Sequence, residues 1–271
     1  LVRACGLSCW SFDHLTVRDD GFAAFRSAAR ESPVVGTARG YEDWAARQRE
    51  SGSRLIAELE RKRRRLEREV GTVRFETHSA EPAHLAALMG LKREQYRRTG
   101  ALDRLGTRWV VELLRLLQDT DRPDLAGRLS VLHAGGRVVA LHLGLRSRRT
   151  WHWWIPAYDP AYARHSPGQI LLLEMVRACD DEGIDRIDLG AGDSRYKDRF
   201  ATDRLVVASG RVGDLPRSVA LATGGLSSLR AGLRRHSVLA RPLRGTRRAL
   251  RRTRSRLSTG APRLPQAPAG D

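Results

Sequence analysis

Up to Gly210 the apolar side chains change period several times, and each change marks an element. Residues 12–17 alternate well enough for one strand, and residues 22–29 predict a helical patch. Residues 41–69 are helix-rich and end in SRLIAELERKRRRLEREVG, where Leu55, Leu59, Leu66 and Val70 share a stripe and Gly71 is a natural stop. Val73 and Phe75 then alternate with Thr72, Arg74 and Glu76, which predicts a strand. Residues 81–96 predict a helix with Leu85, Leu88 and Met89 in period and Pro82 well placed near its start. WVVELLRLL, within 107–117, predicts another.

Two strand signals, 129–133 and 138–145, flank Gly135-Gly136, a strong hairpin turn, and a third strand follows at 151–155. The segment RHSPGQ leads into an apolar helix running to about Asp181 and closed by Gly183. IDRIDLG reads as a short strand with Ile187 and Leu189 on one face, followed by a short helix at 194–200 and a strand at 205–208. The order β-α-α-β-β-β-α-β ends in a β-α-β crossover after antiparallel hairpins. That predicts an α/β (α+β) fold with a mixed central sheet and helices on both faces. Residues 1–50 are expected to be the remainder of an N-terminal module, 51–209 the main domain, and 210–271 a basic tail, largely disordered or amphipathic.

Composition narrows the picture. Of the formal net charge of +18, residues 210–257 carry +12, from thirteen Arg against Asp214 alone. Basicity is thus mostly a property of the tail, where Leu226, Leu229, Leu233 and Leu250 are interleaved with Arg. An amphipathic helix on anionic lipid, a polyanion-binding segment and a solvated tail are the three readings. Lys occurs only at Lys62, Lys92 and Lys197, against 46 Arg, so Arg abundance by itself says little about nucleic acid. The run RKRRR fits a solvated helix face or a polyanion site. Cys5, Cys9 and Cys179 make neither a disulfide framework nor a zinc site, and no metal is expected. No apolar run is long enough to span a membrane, and LVRACGLSCW does not support a signal peptide, so a cytoplasmic setting is expected. A chain beginning at Leu1 is expected to be the C-terminal part of a longer one.

The segment RHSPGQILLLE carries the most specific chemistry. Ser166 can cap the helix, Pro167 suits its first position, and Gln169 completes a capping box. Gly168 leaves the backbone open, and Arg164 and His165 precede it, so the helix start is a candidate anion site. In context the topology resembles that of the GNAT acyltransferases, where this loop and helix hold the pyrophosphate of coenzyme A through a Q/R-x-x-G-x-G/A pattern. Arg164 fits the first position, whereas Pro167 and Gln169 replace the glycines. Over 51–200 the strings SGSRLIAELERKRRRLEREVG, KREQYRRTG, HWWIPAYDPAYARHSPGQILLLE and RIDLGAGDSRYKDRF resemble the BioF2-like or CelD-like branch of that superfamily. That branch is linked to polysaccharide biosynthesis and related in fold to the FemABX peptidyltransferases, and a second such module is one source for residues 1–50.

The resemblance implies acetyl-CoA or another acyl-CoA as co-substrate, bound by Arg164, His165, Ser166, Gly168 and Gln169. Acylation of an amine needs an oriented thioester, a proton acceptor and a proton for the leaving thiolate. In DLGAGDSRYKDRF, Asp193 is a candidate base or ammonium anchor. Tyr196 is a candidate acid, and Lys197 a candidate phosphate or carboxylate ligand. His142 and His152 lie on strands, as hydrogen-bonded core residues or with one of them facing the acceptor cleft as a base, His152 being the one taken as candidate. Trp151, Trp153 and Trp154 suit core packing, with one free to stack on a sugar. The expected activity is acyl-CoA-dependent N-acylation of an amino sugar or cell-envelope precursor by direct transfer. The alternatives are a FemABX-like transferase using aminoacyl-tRNA and a non-catalytic scaffold of a polysaccharide-synthesis complex. The expected location is cytoplasmic, peripheral to the inner membrane face through the Arg-rich tail.

Overall fold

The computed structural model describes residues 5–6, 8–18, 20–192 and 194–213. In chain order they form β1 (Cys9–Thr16), β2 (Arg26–Gly36), α1 (Gly40–Glu50), α2 (Leu55–Val70), β3 (Val73–Glu76), α3 (Pro82–Thr99) and α4 (Arg108–Gln118). There follow β4 (Ala126–Ala134), β5 (Arg137–Ser147), β6 (Thr150–Tyr158), α5 (Pro167–Ala178), β7 (Arg186–Asp188), α6 (Arg195–Phe200) and β8 (Asp203–Gly213). One compact unit spans Ser11–Arg211. The other takes Leu1–Trp10 with Val212–Asp271, and its described part is the outer ends of β1 and β8. Of the tail expected over 210–271, residues 210–213 complete β8 and the rest lies outside the described residues.

The strands form one eight-stranded sheet in the order β1-β8-β2-β7-β6-β5-β4-β3. β3, β4, β5 and β6 follow one another antiparallel, and β7 then pairs parallel to β6 after the crossover through α5. Period-two alternation on β4 sends Leu129 and Val131 to one apolar layer and Leu132 and Ala134 to the other. Trp44 of α1, Leu59 and Leu66 of α2 and Leu171 of α5 fill the second layer; Leu85 and Leu88 of α3 and Leu114 of α4 fill the first. Each such burial contributes about 1.5–3 kcal/mol, so both layers are needed to hold the sheet. The expected mixed sheet with helices on both faces is what these residues build. The β4–β5 turn runs through Gly135 and Gly136 at φ +55° and +75°, and a Cβ on Gly135 would overlap the Val70 carbonyl.

The N-terminal residues depart from expectation. In place of a helix over 22–29, a 3-10 turn (Asp20–Phe25) gives way to β2. The outer half of β2 is exposed, so no apolar alternation marks it, and its pairing comes from β8, with Ala29↔Ala208 and Glu31↔Val206 in register. Its buried end, Val34-Val35, pairs with β7. β1 and β2 therefore belong to the same sheet as the strands that follow. Among the described residues no helix is long and apolar enough to cross a membrane.

The RKRRR run is engaged within the fold. Lys62 reaches Glu58 at 2.7 Å, Arg63 reaches Glu174 at 3.3 Å and Arg65 reaches Glu69 at 2.7 Å. Intramolecular carboxylates thus occupy most of the charge that a polyanion would use.

Candidate active site

β6 and β7 pair only over Thr150↔Arg186, Trp151↔Ile187 and His152↔Asp188, and then part. At that point β6 carries a bulge: Leu145 faces His152 and Leu143 faces Ile155, so Gly144 opposes both Trp153 and Trp154. The extra residue switches faces. Trp151 and Trp153 pack in the α2–α5 layer, Ile155 and Ala157 in the α3–α4 layer, and Trp154 is turned outward, 46% exposed. The Trp154 N–H, displaced from the ladder, donates to His142 Nε2 at 3.1 Å. His142 is fully buried and stacked on Trp153 with ring centroids 4.3 Å apart, and burial pushes its pKa down to about 3. It is a neutral structural acceptor. A Cβ at position 144 would overlap the His142 ring and the His152 carbonyl, so the bulge requires glycine there.

A cavity of about 340 Å³ opens between the C-terminal half of β6, α3 and the start of α5, lined by Lys92, Trp153, Tyr158, Gly168, Gln169 and Tyr196 among others. The expected capping box is not formed. Ser166 sits at φ +54°, ψ +49°, away from the extended conformation a capping side chain needs. Its Oγ accepts instead from Lys62 Nζ at 3.0 Å, while its carbonyl accepts the N–H groups of Gln169 (2.9 Å) and Ile170 (3.1 Å). Pro167 has no N–H, which leaves the Gly168 amide as the open donor of that turn. The place of a Gly168 Cβ is clear except for Tyr158 Cδ1 at 3.7 Å. Arg164 and His165 face away from the cavity, toward Glu69, at 2.6 and 3.2 Å. Burial lowers the His165 pKa. Positive charge at the cavity comes from lysines, which sequence reasoning did not place there. Lys92 donates to the Pro156 carbonyl at 2.9 Å, and burial lowers its pKa. Lys62 adjoins through Ser166. One open amide and two ammonium groups fit a phosphate-bearing donor, with fewer backbone contacts than the expected loop pattern implies.

Tyr196 Oη accepts from Trp153 Nε1 at 3.0 Å. With the oxygen engaged as acceptor, the phenolic hydrogen is free for the cavity, and burial raises the Tyr196 pKa so that the proton is retained.

Trp153 also lines a second cavity, about 480 Å³, whose walls include Asp13, His14, Arg30, His152, Trp154 and Lys197. At its base lies Asp188, 3% exposed. Its Oδ1 accepts from Ser32 Oγ at 2.5 Å and from the Gly190 N–H at 3.0 Å; Oδ2 lies 2.6 Å from His14 Nε2 and 3.6 Å from His152 Nδ1. Burial by itself would raise the carboxyl pKa, but the hydrogen bonds from His14, His152, Ser32 and Gly190 outweigh it and hold Asp188 ionised, well below the usual carboxylate range. A carboxylate accepts only, so the facing nitrogen of His152 carries the proton. Its Nε2, 2.8 Å from Ser147 Oγ, is then the acceptor. Lys197 donates to the Gly190 carbonyl at 2.8 Å, and burial lowers its pKa. Asp193 lies outside the described residues.

Tyr196, Lys197, His152, Ser166, Gly168 and Gln169 thus gather around the parting of β6 and β7, while Arg164 and His165 do not. Asp188 could have been suspected from the sequence, as a lone acid between Ile187 and Leu189 in an apolar strand. His14 had no such signal, because its partner lies 174 residues away. Among the described residues no group of three or more His, Cys, Asp or Glu side chains is placed to hold a metal ion.

A mixed sheet opened between its parallel pair, with a helix start at the opening, defines a GNAT-like acyltransferase fold. The chain belongs to that family: the model of the acetyltransferase (GNAT) domain matches residues 53–198. No curated protein sequence matches it significantly. Among solved structures it is similar to the C-terminal domain of a putative lysylphosphatidylglycerol synthetase from Agrobacterium fabrum. That match has 13% identity and a TM-score of 0.53 over 84% of this chain and 74% of that one. L-PGS from Bacillus licheniformis (14%, 0.49, 81% and 72%) and FemX (10%, 0.49, 82% and 69%) are further neighbours. At these identities the likeness is one of fold.

Proposed function

We propose that the protein is an acyl-CoA-dependent N-acyltransferase that acylates the amine of an amino sugar or related cell-envelope precursor by direct transfer. What supports this reading is the position of Trp153, which lines two cavities on either side of the parted strands, one with phosphate-binding groups and an acid, the other with a base. The thioester donor supplies the activated acyl group in the first cavity, held by the Gly168 amide, Lys92 and Lys62. In the second, His152 Nε2, exchanging its contact with Ser147 Oγ for the acceptor, takes the proton of the attacking amine, and the Asp188 carboxylate fixes the tautomer in which this nitrogen accepts. Tyr196 Oη gives its proton to the departing sulfur. Lys197, at the Gly190 turn, places positive charge near the reacting centre. An acceptor of this class puts the enzyme at the inner face of the membrane, with the Arg-rich segment 210–271 as the part that meets anionic lipid.

Thermal-shift measurement with acetyl-CoA, longer acyl-CoAs and tRNA tests the donor. Stabilisation by CoA thioesters is expected, and Gly168→Glu should abolish it without lowering the melting temperature of the free protein. A salt-dependent shift with tRNA alone would transfer the reading to aminoacyl-tRNA. Silence with every donor would leave a binding scaffold.

A further inference from the structure

We propose that the second cavity is a pyranose site, in which the ring of an aminohexose stacks on Trp154 and is held by residues of β1 and β2. The inference rests on the acyltransferase reading for the role of the amine, but its binding chemistry stands on separate observations. The bulge turns the Trp154 indole outward, 46% exposed, in a cavity whose other walls mix Asp13, Arg30 and Lys197 with Leu145 and Leu189. An aromatic face carries negative quadrupole potential and attracts the polarised C–H groups of a sugar ring, which covers the indole over an area that a small acyclic amine cannot match. Around this platform stand groups suited to hydroxyls. Arg30 Nη2 and Asp13 Oδ1 pair at 2.6 Å, and both side chains remain more than half exposed. The pair therefore presents fixed donors and acceptors side by side. Lys197 uses one of its three hydrogens on Gly190 and keeps two for a ligand.

The acid at the base of the cavity favours the same class. Both oxygens of Asp188 are already occupied, by Ser32 and Gly190 on one side and the two histidines on the other. Among the described residues that line the cavity, no buried carboxylate is free to capture an ammonium, and recognition falls to the ring and its hydroxyls. His14 reaches Asp188 from a φ of +64°, a left-handed conformation uncommon for a non-glycine residue. The contact with Asp188 holds the wall of β1 in place beside His152. A volume of about 480 Å³ accommodates a monosaccharide with part of a neighbouring group. Asp13, His14 and Arg30 all precede the family-matched residues 53–198, so acceptor choice would reside in strands that the family segment lacks.

Saturation-transfer NMR on the full chain, with glucosamine, ethanolamine and alanine as separate probes, tests this. Glucosamine should give a saturable signal strongest at its ring protons, and the two acyclic amines none. Trp154→Ala should weaken glucosamine binding about tenfold, Trp154→Phe should retain most of it, and Arg30→Ala should weaken it several-fold. Circular dichroism of each variant should be unchanged. Glucosamine binding indifferent to Trp154→Ala would overturn the site. So would saturable alanine without glucosamine, or no glucosamine signal while acetyl-CoA still stabilises the chain. Glucosamine binding without any response to acetyl-CoA would instead leave the site standing and remove the donor reading.

Discussion

The chemistry at single residues turns on which partner each polar atom already has. In the proposed mechanism Tyr196 is the acid, its oxygen occupied by Trp153, so Tyr196→Phe should leave acetyl-CoA binding intact and lower kcat about 100-fold or more. Single-turnover thiol release would measure it, and an unchanged rate would remove Tyr196 from the mechanism. His142 is the opposite case, a histidine whose burial suppresses titration. Its pKa falls from 6.5 to about 3 on folding, so below pH 6.5 the unfolded chain takes up a proton that the folded one refuses. Stability should therefore be complete above that pH and decline as pH falls toward 3, by roughly 2 kcal/mol at pH 5 from this residue. Burial also lowers His78, His133 and His165, and these act with the same sign. His142→Gln keeps an acceptor for the Trp154 N–H but cannot titrate. Urea midpoints at pH 7 and pH 5 should accordingly differ less in that variant than in the wild type. An equal difference would mean that His142 does not carry the proton linkage.

At the scale of elements, the bulge in β6 sets the site, because it sends neighbouring tryptophans in different directions. Gly144→Ala should displace the His142 ring or the His152 carbonyl and cost about 1–3 kcal/mol. It should also weaken acetyl-CoA binding through the misplaced Trp153. A melting temperature within error of wild type would show that the bulge yields easily. Much of the element pattern was legible in the chain itself. Periods of 3.6 and 2 located α2, α3, α4 and β3 to β6, and Gly135-Gly136 placed the hairpin, since these signals are local. β2 was misread over 22–29 because Arg-Ser-Ala-Ala-Arg-Glu has no strand period and is fixed by its neighbours β7 and β8. Of the RHSPGQ segment, Ser166, Gly168 and Gln169 line the first cavity, whereas Arg164 and His165 turn to Glu69. The segment's capping box failed because the left-handed backbone at Ser166, stabilised by Lys62, is a tertiary outcome. Local spacing could show that Tyr196 and Lys197 were adjacent to a turn, but not that His14, Ser32 and Asp188 would meet.

For the whole molecule, the family-matched segment and the cooperative unit are different lengths of chain. The segment 53–198 ends before Phe200 and omits β2, α1 and β8. β2 fills the sheet between β7 and β8. Trp44 of α1 is fully buried, donates to the Phe200 carbonyl at 3.1 Å and stacks on the Phe200 ring at 6.1 Å. Loss of a buried Trp contact of this kind costs about 3–5 kcal/mol, a large part of the stability a domain of this size has. Removing β1 and β2 would in addition expose the backbone edge of β7 and leave Asp188 without His14 and Ser32, its charge buried with half its donors gone. A fragment of residues 53–198 should therefore fail to melt cooperatively and should aggregate, whereas residues 11–211 should give one sigmoidal transition by circular dichroism. The helix contact and the strand pairing separate in a third chain, Trp44→Ala within 11–211. It should still fold, at a melting temperature several degrees lower, because the strand pairing survives. If 53–198 melted as sharply and as high as 11–211, the N-terminal strands would be an accessory to the fold, and Asp188 would need no partner from β1 to remain ionised.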